Sequence, residues 1–488
     1  MNLGWEDLES IQSDHWKFKD SNRILSNFHS FKISRDDKLR LIIEITYNPV
    51  MKGMSDKDFF KEPERKEGEV YIIDGHLILE HKYSNDVTLE ISGITLSNTN
   101  ITHNENETVA TVICFITSIK KTNHSLEHAE KNKFTIDWIT NLDIGKYSWT
   151  SWVNQTHENK ITRNFKSTRN TISFLETNGH NSSNSKCCSI RVNDIDIFFG
   201  HTDCLTIDKK YKTGFILYSQ ECNNELRKKI RDALSFILGC KLVHISSTLK
   251  DENYNSIESE IHTQYAINDL YYTANSLPPA PLHSVDSRYY ILGENEISQM
   301  VQKIVDHYDE YDFSHFSWLY WHAAASPMHL KGVGFGATLE YIQRIFIEKN
   351  PAKINTRLID KNLWKQLHLS LSQIITEANF LDEEDKRLLS NKLSGLNQTP
   401  QSILTNRFYE TLNLTLGTLE INSFKQRNNS AHGNKSDDSE IIPLIREVKI
   451  LRVLCNRIIL RIYNLSDVYN DSYSFGFPVR YLQDSITD

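Results

Sequence analysis

The sequence has no long apolar run and little cysteine, proline or glycine. No stretch of its 488 residues approaches the ~18 consecutive apolar residues that span a bilayer. The seven cysteines are unevenly spaced and do not form a disulfide framework. The N-terminal segment is polar and acidic and lacks the apolar stretch of a signal peptide. We therefore expect a cytoplasmic protein with reduced thiols and without a membrane partner.

An excess of positive charge is absent as well. The chain carries 55 Lys and Arg against 63 Asp and Glu, a formal net charge of −8. This balance excludes a general nucleic-acid coat, so any contact with nucleic acid must use a local patch. The hydrophobic fraction of 39% and the charged fraction of 24% are those of an ordinary globular protein. The length indicates two or three domains.

The first half of the chain has the pattern of β-strands. Val87, Leu89 and Ile91 alternate with polar residues, which is typical of a half-buried strand. Asp74 and Gly75 stand between two β-branched runs, as in a hairpin. Similar segments, separated by Asn- and Ser-rich stretches, continue as far as TGFILYSQ. Together they predict an antiparallel sandwich or a barrel-like domain.

The pattern then changes to a helical period. A helix is predicted over 223–239, and Pro278, Pro279 and Pro281 form a stiff, non-helical segment. Nearly all of the chain after Gly293 has helical periodicity. Helices are predicted there over 295–310, 313–325, 333–349, 361–379, 382–396, 400–416, 419–432 and 440–464.

These patterns predict an α+β protein in four parts. The parts are a β-rich, sensor-like N-terminal domain over 1–277, a proline-containing connector over 278–293, an all-α helical bundle over 294–470 and a C-terminal tail over 471–488. The sequence has no internal repeat and no run of coiled-coil heptads.

A polar constellation interrupts the apolar C-terminal helices. The segment KQRNNSAHG places Arg427 and His432 five positions apart, with Asn428 between them and Gly433 behind. Asn428 and His432 are neighbours at i and i+4, whereas Arg427 and His432 lie about 140° apart in a straight helix. The polar groups converge if the last turn relaxes or the long Arg side chain bends. A solvated helix end is the alternative interpretation.

This constellation and its surroundings resemble the HEPN superfamily. Ribonuclease members of that superfamily carry Arg-polar-x3-5-His at this point of a helical bundle, and Arg427, Asn428 and His432 fit the motif without departure. The segment GFGATLEYIQRIF, with Glu340, looks like an early HEPN helix. The resemblance covers about residues 294–465. A β-rich domain followed by this helical domain resembles the ApeA family of bacterial anti-phage proteins.

The resemblance implies a metal-independent endoribonuclease that works as a homodimer without a cofactor. His432 would transfer the proton, because imidazole titrates near neutrality. Arg427 would bind the phosphate oxygens, and Asn428 would orient the His or the substrate. Attack by the RNA 2′-OH would leave a 2′,3′-cyclic phosphate end. Two protomers would bring their motifs together, so that each site has two histidines.

Basic and amide side chains around the motif are candidates for RNA binding. Lys425 and Asn429 flank Arg427 in sequence. The last predicted helix carries a basic stripe that could hold an RNA backbone, formed by Arg446, Lys449, Arg457 and Arg461. A solvated helix face is the alternative for this stripe, and Glu447 dilutes its charge.

Two further patterns indicate no cofactor. Cys187, Cys188, His201 and Cys204 include one His-x2-Cys spacing, but adjacent cysteines are a poor ligand pair and a predicted strand separates the two halves. We expect ordinary thiols and no metal site. The segment HLKGVGFGATLE lacks both the Lys-Ser/Thr of a P-loop and a preceding strand, so we expect a tight, mobile start of the helix 333–349.

By resemblance to the ApeA family, the expected function is anti-phage defence by cleavage of host RNA, with tRNA as the expected substrate. A phage component is expected to bind the region 1–277 and to activate the enzyme. Two other functions stay open. The helical domain could be a non-catalytic HEPN scaffold that binds RNA or a protein partner. The β-rich domain could instead bind a carbohydrate or a peptide, with the helices serving dimerisation.

Overall fold

The chain folds into two compact units, Met1–Val305 and Asp306–Asp488. The structure, a computed structural model, describes Glu6, Leu8, Ile11 and the ranges 13–18, 28–47, 76–103, 108–127, 132–142, 150–151, 154–157, 160–166, 171–176, 186–202, 211–264, 277–281, 293–431 and 441–486. The predicted hairpin at Asp74 and Gly75 lies outside these residues.

The described part of the chain is β-rich at first and helical afterwards. The strands are β1 (Trp16–Phe18), β2 (Phe28–Arg35), β3 (Leu41–Tyr47), β4 (His76–His81), β5 (Ser84–Ser92), β6 (Thr95–His103), β7 (Thr108–Ile116), β8 (Ser118–Asn123), β9 (Lys133–Thr140), β10 (Thr150–Ser151), β11 (Asn154–His157), β12 (Lys160–Lys166), β13 (Thr171–Glu176), β14 (Lys186–Val192), β15 (Ile195–His201), β16 (Gly214–Tyr218), β17 (Val243–Asp251), β18 (Ser256–His262), β19 (Val468–Asn470) and β20 (Val479–Tyr481). The helices are α1 (His124–Glu127), α2 (Asn224–Leu238), α3 (Glu294–Asp306), α4 (Phe313–Ala325), α5 (Met328–Lys349), α6 (Lys361–Glu377), α7 (Glu383–Gly395), α8 (Gln401–Thr411), α9 (Thr418–Ala431) and α10 (Ile441–Ile462).

Antiparallel pairing builds the sheets of the first unit. Among the described residues, an eleven-stranded sheet has the order β1-β4-β5-β8-β18-β17-β9-β16-β15-β14-β10. A four-stranded sheet has the order β2-β3-β7-β6, and a three-stranded sheet has the order β11-β12-β13. This large antiparallel region, followed by helices, confirms the predicted α+β fold class.

The four-stranded sheet and one end of the eleven-stranded sheet share a core. Ile43 and Ile45 of β3 are buried in one cluster with Leu89 and Ile91 of β5. The chain passes from one sheet to the other at Gly93, where φ is +67°. A side chain at this position would collide with Thr117. Glycine is therefore required at this corner, because it alone combines a left-handed backbone with so close an approach.

Helix α2 covers the eleven-stranded sheet through a buried polar cluster. The predicted helix over 223–239 is present and ends at Gly239 in a left-handed conformation. Arg227 and Arg231 of α2 both donate to the fully buried carboxylate of Asp137 on β9. The Ser247 hydroxyl donates to the same carboxylate at 2.8 Å. The helix is thus fixed to the sheet by charge-assisted hydrogen bonds as well as by its apolar face.

Opposite charges keep the carboxyl group of Asp137 ionised. Burial raises its pKa, but Arg231, His244 and Arg227 together lower it well below the usual range. Burial, with a smaller effect of Arg231, lowers the pKa of His244 to about 4, so this imidazole is neutral at pH 7. The cluster therefore holds two guanidinium groups around one carboxylate. Loss of the carboxylate would leave both positive charges buried without a counter-charge.

We predict that Asp137→Asn lowers the free energy of unfolding by about 3–5 kcal/mol, because a broken buried ion pair leaves uncompensated charge. Urea denaturation at pH 7 measures this change. Asp194→Asn is the control, since its side chain is 91% exposed and its ion pair with Arg191 lies at the surface. The control should cost less than about 1 kcal/mol. Equal losses in the two variants would contradict the prediction.

Helix α3 packs along β14 in the first unit. Its side chains accept hydrogen bonds from backbone N–H groups of this strand and its turn. The bonds run from Ser189 to Glu294 (3.1 Å), from Arg191 to Ser298 (2.7 Å) and from Asn193 to Gln302 (2.8 Å). The helix thereby covers backbone donors near a sheet edge that would otherwise be free for pairing. The structure divides the chain after Val305, whereas the sequence groups 294–305 with the helical bundle.

The second unit contains α4 to α10, and each overlaps a predicted helix. Helix α5 begins at Met328 rather than at residue 333, so the glycine-rich segment lies within the helix. The interpretation of this segment as a tight, mobile start is therefore wrong. A Cβ atom at Gly334 would lie 2.8 Å from that of Ala323 on α4. The glycine allows α4 and α5 to pack closely.

The C-terminal residues belong to the core of the second unit. Strands β19 and β20 form an antiparallel hairpin. Tyr469, Leu482 and Ile486 are buried. The range 471–488, predicted as a tail, is therefore packed structure as far as residue 486, because its apolar side chains have partners in the bundle.

Candidate functional site

Most of the predicted motif lies in the last turns of α9. This helix contains Lys425, Arg427, Asn428 and Asn429, and its end at Ala431 agrees with the predicted helix over 419–432. The side chains of these four residues lie outside the described part of the structure, and so does the whole of His432. The structure thus gives the backbone position of the motif's first half.

Along the backbone of α9, position 427 continues the line of positions 420 and 423. Arg427 follows Glu420 by seven positions and Ser423 by four, which are spacings of one helix face. Glu420 and Ser423 are buried. Helix α9 contacts α5 and α10. The backbone of Arg427 therefore continues the face that the bundle buries, toward the end of the helix.

A buried ion pair fixes this face of α9. Glu420 accepts a hydrogen bond from Arg457 of α10, and both side chains are fully inaccessible to solvent. Arg457 also donates to the carbonyl oxygens of Thr415 (3.0 Å) and Leu482 (2.8 Å). The second oxygen of Glu420 accepts from the backbone N–H of Gly417 at 2.7 Å. One guanidinium group thereby ties α9, α10 and the C-terminal residues together.

Burial raises the pKa of Glu420, and the charge of Arg457 opposes this shift. The salt-bridge geometry favours the ionised pair, because a carboxylate can accept from the guanidinium and from Gly417 at once. Arg457 is consequently absent from the surface. Its predicted place in an RNA-binding stripe is wrong, since its side chain is committed to the core.

The rest of the predicted basic stripe is divided. Arg446 and Lys449 are exposed on α10 and remain available to an external ligand. Arg461 is half-buried and lies 3.8 Å from Asp467. Glu447, between the two exposed basic residues, points into the bundle and is buried. The sequence overestimated the length of the stripe because apolar periodicity does not reveal which arginines have internal partners.

Glu447 is the second buried carboxyl group near this part of the bundle. It is 7% exposed, and its Oε1 atom has no hydrogen-bond partner among the described residues. A Cβ atom at Gly332 of α5 would lie 3.8 Å from this oxygen. Burial raises the pKa of Glu447 to about 7. This group can therefore gain or lose a proton near neutral pH, whereas its place in the sequence indicates only a surface charge.

The first unit contains a polar cleft of about 780 Å³. Its walls include Lys133 at the start of β9, Ser173 of β13, Gln220 and Glu221 before α2, and Glu252 after β17. The cleft offers both signs of charge and several hydrogen-bonding groups. Such a lining suits a polar ligand or a polypeptide segment better than an apolar small molecule.

The two adjacent cysteines, at which the sequence predicts no metal site, lie in a strand. Cys187 and Cys188 are buried in β14, where adjacent side chains point to opposite faces of the sheet. Burial raises the pKa of the Cys188 thiol. Cys204 lies outside the described residues. Within the described ranges, no three His, Cys, Asp or Glu side chains are grouped so as to hold a metal ion.

Comparisons with protein-family models, with curated proteins and with solved structures find no match to this chain. In the described ranges, no helix has the length and the apolar character required to cross a membrane.

Glu420 and Glu447 also belong to this region, although the sequence patterns did not identify them. Glu420 could have been identified from its spacing, because it precedes Arg427 by two turns of a helix that packs between other helices. A signal for Glu447 is its position within the apolar run IIPLIREVKILRVL. Neither signal identifies the partner of the carboxyl group, since the partner depends on how the helices pack.

We predict that the stability contribution of Glu447 falls as the pH rises. Its pKa is about 7 in the folded chain and near 4.5 in the unfolded chain, so the folded state binds more protons between these values. Glu447→Gln cannot ionise and should be more stable than the wild type at pH 8 by about 3 kcal/mol, since one pKa unit corresponds to about 1.4 kcal/mol. The two proteins should be equally stable at pH 4.

Urea denaturation at pH 4, 6 and 8 measures this difference. Glu348→Gln is the matched control, because Glu348 is an exposed residue of α5. Its difference from the wild type should stay constant over the same pH range. If Glu447→Gln keeps the pH dependence of the wild type, Glu447 does not titrate in this range.

Proposed function

We propose that this protein is a metal-independent endoribonuclease of the HEPN type that cleaves host RNA, with tRNA as the substrate, in anti-phage defence. The observation that carries the proposal is the motif Arg427-Asn428-x3-His432 at the end of α9. The first half of the motif lies on a helix whose inner face is fixed by the Glu420–Arg457 ion pair. A fixed helix supports a catalytic group better than a free loop does.

The proposed reaction uses the RNA's own 2′-hydroxyl as the nucleophile. A histidine accepts the proton of the 2′-OH, and the resulting oxygen attacks the adjacent phosphorus. The bond from phosphorus to the 5′-oxygen breaks, and that oxygen takes a proton from a second histidine. The products are a 2′,3′-cyclic phosphate and a 5′-hydroxyl. Arg427 stabilises the charge that develops on the phosphate oxygens.

The remaining polar groups serve substrate binding in this proposal. Asn428 orients His432 or the substrate, as the motif implies. Lys425 and Asn429 lie on the same helix end, and Arg446 and Lys449 are exposed on α10. Lysine and arginine contacts to phosphates would make binding depend on salt concentration.

The proposed active form is a homodimer. Each chain supplies one His432 and one Arg427 at the motif, whereas the reaction uses one proton acceptor and one proton donor. A two-fold axis between two α9 helices would place two copies of the motif in one site. The first unit would control the enzyme by binding a phage component, and its polar cleft is a candidate surface for that contact.

His432→Ala and Arg427→Ala are each expected to abolish RNA cleavage, since they remove the proton carrier and the phosphate ligand. Asn428→Ala should lower the rate less. Cleavage should survive EDTA, and sequencing of the RNA ends should show 2′,3′-cyclic phosphates. Asn422→Ala, an exposed position of α9, is the control and should cleave like the wild type. Activity that persists in His432→Ala, or RNA binding without cleavage by the wild type, would favour the non-catalytic scaffold instead.

A ten-fold excess of the His432→Ala protein is expected to lower the wild-type rate about ten-fold, because most wild-type chains would then have an inactive partner. The two proteins are mixed, diluted to allow exchange of subunits and reconcentrated before the assay. Asn422→Ala protein, added in the same excess, should not inhibit. If the wild-type rate is unaffected although exchange is demonstrated with labelled chains, the site is not shared between protomers.

A further inference from the structure

The helical hairpin α6–α7 exposes an unusual amount of apolar surface. None of the seventeen residues of α6 is buried. The contacts of α6 are mainly with α7. The seam between the two helices is marked by half-buried residues of α6 that recur with a helical period, namely Trp364, His368, Leu371 and Ile375. A large exposed apolar surface on a helix pair indicates a further packing surface.

A second apolar stripe of α6 lies beside this seam. Leu363, Leu367 and Ile374 are 60%, 45% and 64% exposed. At about 100° per residue, they lie about 70–110° to one side of the seam. Their spacing of four and seven residues is that of a helix surface that packs on another helix.

Helix α7 extends the same apolar face. Its buried seam residue is Leu393, and Leu389 and Leu396 lie about 40–60° to the corresponding side of it. Because α6 and α7 run antiparallel, side chains that are rotated away from the seam in the same sense on both helices lie on one face of the pair. We call the set Leu363, Leu367, Ile374, Leu389 and Leu396 the hairpin face.

Backbone pairing fixes the base of the hairpin. Leu358 N–H donates to the carbonyl of Asn397 at 3.0 Å, and Thr399 N–H donates to that of Thr356 at 3.1 Å. The side-chain oxygen of Asn397 accepts from Ile359 N–H at 2.9 Å. The base is thus a short two-stranded ladder that joins the start of α6 to the end of α7.

The two ends of the hairpin carry opposite charge. The tip contains Glu377, Asp382, Glu383, Glu384 and Asp385, of which Glu383 is paired with Lys386. The end at the base contains Lys361, Lys365 and Lys392, with Asp360 engaged as the N-cap of α6. Each hairpin is therefore negative at its tip and positive toward its base.

We propose that the hairpin face binds the hairpin face of a second copy of this chain, in an antiparallel arrangement about a two-fold axis. This arrangement removes both apolar faces from water and places each acidic tip beside the basic base of the partner. A parallel arrangement would bring like charges together. The inference goes beyond the proposed ribonuclease function, because the contact involves neither Arg427 nor His432.

The test compares Ile374→Glu with Leu369→Glu in the full-length chain. Leu369 is 63% exposed, which matches Ile374, but it lies on the other side of α6. Sedimentation equilibrium over a dilution series should show that Ile374→Glu weakens self-association at least ten-fold, down to the dimer that the proposed α9 contact alone would form. Leu369→Glu should associate within two-fold of the wild type. Circular dichroism confirms that both variants keep their helices.

Two further variants keep the apolar face intact. Ser370 lies on the stripe side of α6, near its middle, so the two-fold axis brings two copies of this residue together. Ser370→Cys should form a disulfide-linked dimer under mild oxidation, whereas Leu369→Cys, on the other side of α6, should not. Lys392 and Asp385 lie on the hairpin-face side of α7, toward its base and its tip, so Lys392→Glu should weaken association and Asp385→Lys in the same chain should restore it.

Unchanged association of Ile374→Glu, equal weakening by Leu369→Glu, or a failure of Ser370→Cys to cross-link would overturn the proposal. In those cases another segment of the chain or a different partner covers the hairpin face. His432→Ala leaves the hairpin intact, so Ser370→Cys should cross-link equally well in that background whether or not the protein cleaves RNA. The hairpin contact and the ribonuclease function therefore fail separately.

Discussion

Two fully buried opposite charges, Glu420 of α9 and Arg457 of α10, organise the second unit. Arg457 also binds the carbonyl oxygens of Thr415 and Leu482, so one guanidinium group connects the segment before α9, the C-terminal half of α10 and the C-terminal residues. A buried charge tolerates little displacement from its partners, because the desolvation cost of both ions is offset only in good geometry. The backbone position of Arg427, two turns along α9, depends on this constraint.

The first unit uses a related arrangement. Asp137 is enclosed by Arg227 and Arg231, which come from the helix that covers its sheet. In both units a buried carboxylate on one element is matched by arginine from another, so the relative placement of elements follows from charge pairing as well as from apolar packing. The Oε1 atom of Glu447 has no hydrogen-bond partner among the described residues, and burial raises the pKa of this group to about 7.

The helices could be predicted because each has its own apolar period, and residues 313–325 formed a helix with those limits. The β-rich half could be predicted because alternation and β-branched runs are local properties. The side on which α3 packs could not be predicted, because Glu294 and Ser298 bind β14 through backbone donors that have no sequence signature. Arg457 was misjudged for a similar reason, since its partner Glu420 lies on another helix.

The sequence by itself determined the α+β class, the helix that contains Arg427 and Asn428, and the spacing of these residues from His432. These features follow from periodicity and order along the chain. Only the tertiary structure decided which charged residues are buried, and which apolar residues stay exposed on the α6–α7 hairpin. Burial is decided by contacts between distant segments. The apolar stripe of α6 has the same local pattern as a core helix, although no part of the described chain covers it.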